Sequence, residues 1–306
     1  MSLAVSRPVL IGIDWGTSSL RAFLIGSNGE ILARVASPEG IMHVENRDFE
    51  SVFERLIGDW VNAGELPILA SGMITSRNGW VETPYAPVPL DASDLARALV
   101  PHRTARGIDL RFITGVTTDH RSGPDVMRGE ETQIIGASAL GMSDGTFVMP
   151  GTHSKWIRVS GGKIEDYATY MTGEVYAALR GHTILGTLME DGPFDESGFE
   201  LGVNAGLENG SSLLHDLFHV RTLPLMGRIK GNQAADYMSG ILIGAEIKSA
   251  KERGDATDHV TIVGRNDLTD RYTAALTLAG IKSRAAPDDV VAMGHFLIAQ
   301  SAGLVS

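Results

Sequence analysis

Apolar residues recur along this chain with two spacings, one suited to strands and one to helices. Residues 9–13 and 20–25 are apolar runs that predict the first two strands. Ile31 to Ala36 follows an Asn28-Gly29 turn as a third, and the three make a meander. From Phe49 to Asn62 the apolar positions are 49, 52, 53, 56, 57, 60 and 61, the stripe of one helical face. Pro67 to Met73 predicts a buried strand that ends in a glycine turn. Residues 72–89, rich in Thr, Ser, Asn, Gly and Pro, predict an irregular polar loop, a usual place for substrate contacts. Leu110 to Val116 predicts another strand, and 130–140 a helix whose Gly136, Ala137 and Ala139 permit close crossing of a neighbour. Further helices are predicted over 176–189, 213–218, 234–250, 268–279 and 290–300, the last with Gly294 for close packing, and a strand-to-turn unit over 259–264.

One strand-turn-strand unit is written twice. The first runs from Leu10 through Asp14-Trp15-Gly16-Thr17-Ser18-Ser19 to Ile25; the second runs from Thr146 through Pro150-Gly151-Thr152-His153-Ser154 to Val159. Aligned on Gly-Thr, Gly16 falls on Gly151, Thr17 on Thr152 and Ser19 on Ser154. Loops of this kind hold phosphates through backbone N–H groups and hydroxyls. Only the first has a carboxylate two residues before its glycine, Asp14 against Met149. That asymmetry suits one hydrated metal ion on one side of a nucleotide, with Asp14 holding Mg²⁺ through water.

The chain has 306 residues, enough for about two domains, with the boundary expected near residue 141. Net charge is −11, which argues against a nucleic-acid surface but not against ATP. Absence of cysteine excludes disulfides, thiolate-bound zinc and a cysteine nucleophile. No stretch approaches the ~20 apolar residues of a membrane span, and the run at 9–13 is too short for a secretory signal. A soluble cytoplasmic protein is expected. Walker A, dinucleotide-binding and nucleophile-elbow motifs do not occur.

In order, the pieces are an Asp-x-Gly-Thr hairpin, a small-residue helix, a second Gly-Thr hairpin, a strand-Gly-helix unit and a C-terminal helix. This resembles the superfamily of sugar kinases, actin and heat-shock ATPases, whose parts are called phosphate 1, connect 1, phosphate 2, adenosine and connect 2. Within it the chain resembles the 2-dehydro-3-deoxygalactonokinase (2-keto-3-deoxygalactonate kinase) family. The carrying segments are 11–18, Ala70-Ser71-Gly72-Met73-Ile74, Met127-Arg128-Gly129-Glu130-Glu131-Thr132-Gln133 and 149–156. The resemblance implies an α/β, two-domain actin-like ATPase (ribonuclease H-like) fold, with mixed sheets flanked by helices and the nucleotide in the interdomain cleft. It implies domains over 8–141 and 142–306, with the last helix returning toward the first. The implied activity is ATP-dependent phosphorylation of the 6-hydroxyl of 2-keto-3-deoxygalactonate in sugar-acid catabolism.

Gly16, Thr17, Ser18, Gly151, Thr152 and His153 would then face ATP phosphates, and Gly264 the adenosine. The superfamily places a catalytic carboxylate near the start of connect 1, usually an Asp, where this chain has Glu130 and Glu131. Glu130 is the favoured base and Asp125 the reserve, although carboxylates in a first helical turn are also favoured by the helix dipole. The substrate carboxylate calls for a bidentate cation, for which Arg77 and Arg128 are candidates. Lys155 could approach a phosphate or that carboxylate. Trp80 could stack on the sugar chain, although loop or core packing is its plainer role. The alternatives are a kinase for 2-keto-3-deoxygluconate or a pantothenate-like acid, a nucleotide-dependent assembly protein, and a sugar-sensing repressor, for which no basic DNA-binding segment is present. No nucleic-acid or membrane partner is expected, and a homodimer is compatible with the sequence.

Overall fold

The computed structural model describes residues 7–209 and 212–306. The chain forms two compact units, the first taking residues up to 144, 159–166 and 287–306, the second 145–158 and 167–286.

The first unit begins with strands β1 (Pro8–Trp15), β2 (Leu20–Gly26) and β3 (Ile31–Ser37), the expected meander, followed by helix α1 (Phe49–Asn62). Strand β4 (Ile68–Ser71), short strand β5 (Tyr85–Pro87), helix α2 (Ala92–Arg97) and strands β6 (Val100–Arg103) and β7 (Asp109–Phe112) come next. Then come β8 (Gly115–His120), β9 (Gly123–Met127) and α3 (Glu130–Ala139). The large sheet has the order β3-β2-β1-β4-β7-β6, and a small one the order β5-β8-β9. Strand β1 pairs antiparallel with β2 and parallel with β4. Its side chains alternate between faces. Ile11, Ile13 and Trp15 join Phe49, Phe53 and Ile57 of α1 in one core, whereas Gly12 lies under the ring of His295.

The second unit holds β10 (Gly145–Met149) and most of β11 (Ser154–Ser160), the end of β12 (Lys163–Tyr170), and then α4 (Thr172–His182), α5 (Glu196–Asn209), α6 (Leu213–Leu225) and α7 (Gly231–Arg253), while residues 159–166 group with the first unit. Strand β13 (His259–Ile262), α8 (Asn266–Leu278) and β14 (Lys282–Ala285) complete it, with sheet order β12-β11-β10-β13-β14. Helices α5 and α7 cross at backbone contact: a Cβ added at Gly202 would lie 2.1 Å from the Tyr237 carbonyl oxygen. The final helix, α9 (Val290–Ser301), belongs to the first unit and crosses α3 equally closely. A Cβ at Gly294 would lie 1.9 Å from the Thr132 carbonyl oxygen, and one at Gly136 1.9 Å from that of Val290. Both glycines read from the sequence as packing positions therefore serve one crossing.

Several elements differ from expectation. The strand expected over 110–116 is two, because the chain leaves the large sheet after Phe112 and starts the small one at Gly115. The loop at 72–89 contains a 3-10 turn over Met73–Thr75 and the strand β5. The helix expected over 176–189 starts four residues earlier and ends at His182. Thr183 is extended there and its hydroxyl caps a 3-10 turn over Ile184–Leu188. Among the described residues no helix is long and apolar enough to cross a membrane.

Candidate functional site

In the first unit the ends of β1 and β4 lie side by side, with Asp14 opposite Ser71 in the parallel register. Beyond them Gly16 donates its N–H to the Ser19 carbonyl (2.9 Å), and this tight turn leaves Thr17 and Ser18 exposed. The segment ending at Met42 braces the turn from behind, where Ile41 and Met42 donate to the Gly16 and Thr17 carbonyls. Asp14 is mostly buried. Its Oδ2 accepts from Arg21 Nη2 at 2.5 Å, across the β1–β2 register.

Gly72 carries the chain away from β4 at φ +94°, a backbone state costly for any residue with a Cβ. A Cβ there would lie 2.8 Å from the Trp15 carbonyl and 3.3 Å from Asp14 Oδ1. Gly129, at φ +108°, stacks on Gly72, its own Cβ position 3.0 Å from the Gly72 Cα. The glycine pair thus brings the start of α3 to the Asp14 end of the sheet.

The two glutamates that follow differ sharply. Glu130 is half-buried at the first turn of α3, and its Oε2 accepts the Arg128 N–H at 2.9 Å. Glu131 is wholly enclosed and accepts the Gly129 N–H at 2.6 Å and the Thr132 hydroxyl at 3.0 Å. Burial, and next the charge of Glu130, push the Glu131 carboxyl up to about 8. It is therefore a neutral acid at pH 7 that holds the Gly129 turn. Asp125 lies on β9, where its carboxylate accepts the Val126 N–H.

The remaining candidates of this unit separate. Arg77 is exposed on the turn between Ser76 and Gly79, and its guanidinium meets no partner among the described residues. Arg128 is buried. Its Nη1 donates to the Thr75 carbonyl and to the hydroxyls of Thr75 and Thr83, its Nη2 donates to the Thr83 carbonyl, and its plane lies 4.3 Å over the Tyr85 ring. Those bonds clasp the 72–89 loop. Trp80 packs edge-on against Phe53 (5.7 Å), Phe112 (6.0 Å) and Trp15 (6.5 Å), so its ring belongs to the core.

In the second unit Gly151, Thr152 and His153 form the turn between β10 and β11, with Thr152 and His153 exposed. A Cβ at Gly151 would meet no atom within 4 Å and its φ is ordinary, so packing among the described residues does not demand glycine there. Open space over a backbone turn is what a close-lying phosphate needs. His153 Nε2 lies 2.5 Å from Glu174 Oε2, and Lys155, buried beneath the turn, donates to the His153 carbonyl at 3.1 Å. Gly264, exposed at the end of β13, adjoins the turn, its Cβ position 3.4 Å from Pro150 Cδ. Under the turn lies Glu246 of α7, a carboxylate that the sequence did not single out.

The donor set fits a hydrated Mg²⁺, which keeps most of its water and takes one or two carboxylates plus phosphate oxygens. Asp14 is such a carboxylate, and the described residues hold no cluster of three His, Asp or Glu that would suit a caged metal. Arg21 and the Ser71–His295 pair (Oγ to Nε2, 3.0 Å) also escaped the sequence reading. Burial, and next the Arg21 charge, push the His295 imidazole down to about 3, so it is neutral.

The chain matches the model of a family described as 2-keto-3-deoxy-galactonokinase over residues 14–298. It is 34% identical to the 2-dehydro-3-deoxygalactonokinase of Escherichia coli (strain K12), over 91% of this chain and 93% of that one. It is 36% identical to a protein of Rhizobium meliloti (strain 1021) described as a probable 2-dehydro-3-deoxygalactonokinase, over 90% and 92%. A crystal structure from Sinorhizobium meliloti, provisionally named for the same activity, superposes with a TM-score of 0.88 at 34% identity and covers 95% of this chain and 98% of that one. A xylulose kinase structure from Lactobacillus acidophilus (TM-score 0.50, 11% identity, 96% and 89% covered) shares the actin-like sugar-kinase fold alone.

Proposed function

The chain belongs to the 2-keto-3-deoxy-galactonokinase family, and from that premise we propose how its residues carry the reaction. The protein transfers the γ-phosphoryl group of ATP to the 6-hydroxyl of 2-dehydro-3-deoxy-D-galactonate. The new bond joins O6 to the γ-phosphorus, the bridge to the β-phosphate breaks, and ADP leaves. Such a transfer depends chiefly on positioning and charge stabilisation. The hydroxyls of Thr17, Ser18 and Thr152 and the N–H groups around Gly16, Gly151 and His153 serve the phosphates, with Gly264 beside the adenosine. Asp14 would hold Mg²⁺ through water, and the metal would supply positive charge to the phosphate oxygens. The functional halves are residues 8–141 and 142–306, with the last helix returning to the first.

The observation that carries the assignment of roles is the Gly72–Gly129 contact. It sets Glu130 at the Asp14 end of the sheet while Glu131 stays sealed beneath. Glu130 accepts the O6 proton at its carboxylate, and Glu131 holds the turn. Arg77 takes the substrate carboxylate, since its guanidinium is exposed, whereas Arg128 is buried with its Nη1 held by Thr75 and Thr83.

A panel of acceptors tests this reading. ADP formation should require 2-dehydro-3-deoxy-D-galactonate, and an analogue without the carboxylate should be used poorly. Arg77→Lys should raise the acceptor KM about tenfold, the worth of a lost charge-assisted hydrogen bond, with the ATP KM little changed. Equal use of acid and analogue by the wild type would overturn the carboxylate role.

A further inference from the structure

The buried Glu246 side chain is saturated with donors. Its Oε1 accepts from Ser154 Oγ at 2.7 Å and from Trp156 Nε1 at 2.8 Å; its Oε2 accepts from Tyr272 OH at 2.8 Å and from Thr172 Oγ1. A carboxylate offers about four acceptor sites, and here each is filled, one of them by an indole N–H that can only donate. No cation pairs with Glu246 among the described residues, so these four groups carry the whole compensation for burying it.

Two of the four donors flank the Gly151–His153 turn. Ser154 is the residue immediately after it. Thr172 precedes Gly173, which is pressed against the turn, since a Cβ at Gly173 would lie 2.4 Å from the Gly151 carbonyl oxygen and 2.9 Å from the Thr152 Cα. The next residue, Glu174, donates its N–H to the Thr152 carbonyl at 2.9 Å. Glu246 therefore ties both sides of the turn to the middle of α7, and Tyr272 of α8, whose hydroxyl also reaches Ser154 Oγ at 3.4 Å, closes the cluster.

We propose that Glu246 is a positioning residue for ATP. By gripping Ser154 and Thr172 it fixes the Gly151–His153 turn in the form that receives phosphate. The proposal rests on the reading of that turn as a phosphate site. A neutral glutamine can reproduce the arrangement, with its oxygen toward Ser154 and Trp156 and its NH₂ toward the two hydroxyls, which can also accept. An apolar side chain cannot.

The test is steady-state kinetics and ADP affinity for five variants of the whole chain, with melting temperatures alongside. Ser154→Ala and Thr172→Val should each raise the ATP KM and the ADP Kd about five- to tenfold, with the acceptor KM within twofold. Glu246→Leu should raise the ATP KM and the ADP Kd at least as far, and Glu246→Gln should restore both to within about threefold of wild type. Thr152→Val, on the turn itself, is the reference. If it weakens ATP while Ser154→Ala and Thr172→Val do not, Glu246 has only a structural role and the proposal fails. If Thr152→Val also leaves ATP unaffected, the turn is not a phosphate site and the proposal falls with that reading. A lowered melting temperature in Glu246→Leu with the ATP KM and ADP Kd unchanged would likewise assign Glu246 to general packing.

Discussion

Glu130 and Glu131 are adjacent in sequence and opposite in circumstance, and the difference yields the sharpest kinetic expectation. Glu130→Gln should lower kcat by about 10²–10⁴-fold, the usual cost of losing a general base, with ADP binding retained. Glu131→Gln should stay within a few fold, because an amide resembles the neutral acid already present. The same residue sets a pH dependence. Its folded carboxyl titrates at about 8 and its unfolded one near 4.5, so between those values the folded state keeps a proton that the unfolded chain sheds. Stability contributed by this group is full below pH 4.5 and is lost as pH rises toward 8, at up to about 1.4 kcal/mol per unit. Urea unfolding from pH 5 to 8 should show Glu131→Gln lacking that component of the slope; an unchanged slope would mean that Glu131 is ionised. Sequence alone named both carboxylates as candidates and favoured Glu130, although a first helical turn favours either as a plain structural feature. Burial separates them, and no local pattern encodes it. Arg21 and Glu246 were illegible for a related reason: each acquires its role through a partner fixed by tertiary pairing, Asp14 across a hairpin and Ser154 from another element.

Helices α3 and α9 meet through glycine on both sides, and substitutions there should act through the crossing. Gly294→Ala forces its Cβ into the Thr132 carbonyl, so the helices must separate at a cost of about 3 kcal/mol, the upper end of overpacking. Because Thr132 follows Glu131, kcat should fall as well. Gly58→Ala on α1 is the contrast. Its Cβ would meet nothing within 4 Å, and the change should stabilise by about 0.5–1 kcal/mol, as chemical unfolding would register. Elements with a strong period were legible: the stripe from Phe49 to Val61 gave α1 its bounds, and the apolar run before Asp14 gave β1. Helix α5 was not, since Gly198, Gly202 and Gly206 lower its helical propensity while permitting its contact with α7. Strands β6, β9 and β14 are short and carry exposed residues, so alternation is too weak to announce them.

Across the whole molecule, the written-twice hairpin was the feature that made the fold readable, because repetition in order is far more specific than either copy. Each compact unit carries one copy on its own mixed sheet, and the last helix of the chain clusters with the first unit. The substrate was legible only through family resemblance, since the residues that would touch it lie on a loop and a turn whose composition fits many ligands. The most direct test is to follow the reaction of wild-type protein, ATP, Mg²⁺ and 2-dehydro-3-deoxy-D-galactonate by phosphorus NMR. One phosphomonoester coupled to the two C6 protons should appear for every ADP formed, and neither should form without the acid. Release of inorganic phosphate without acceptor, or ATP-dependent sedimentation with no phosphomonoester, would contradict a sugar-acid kinase.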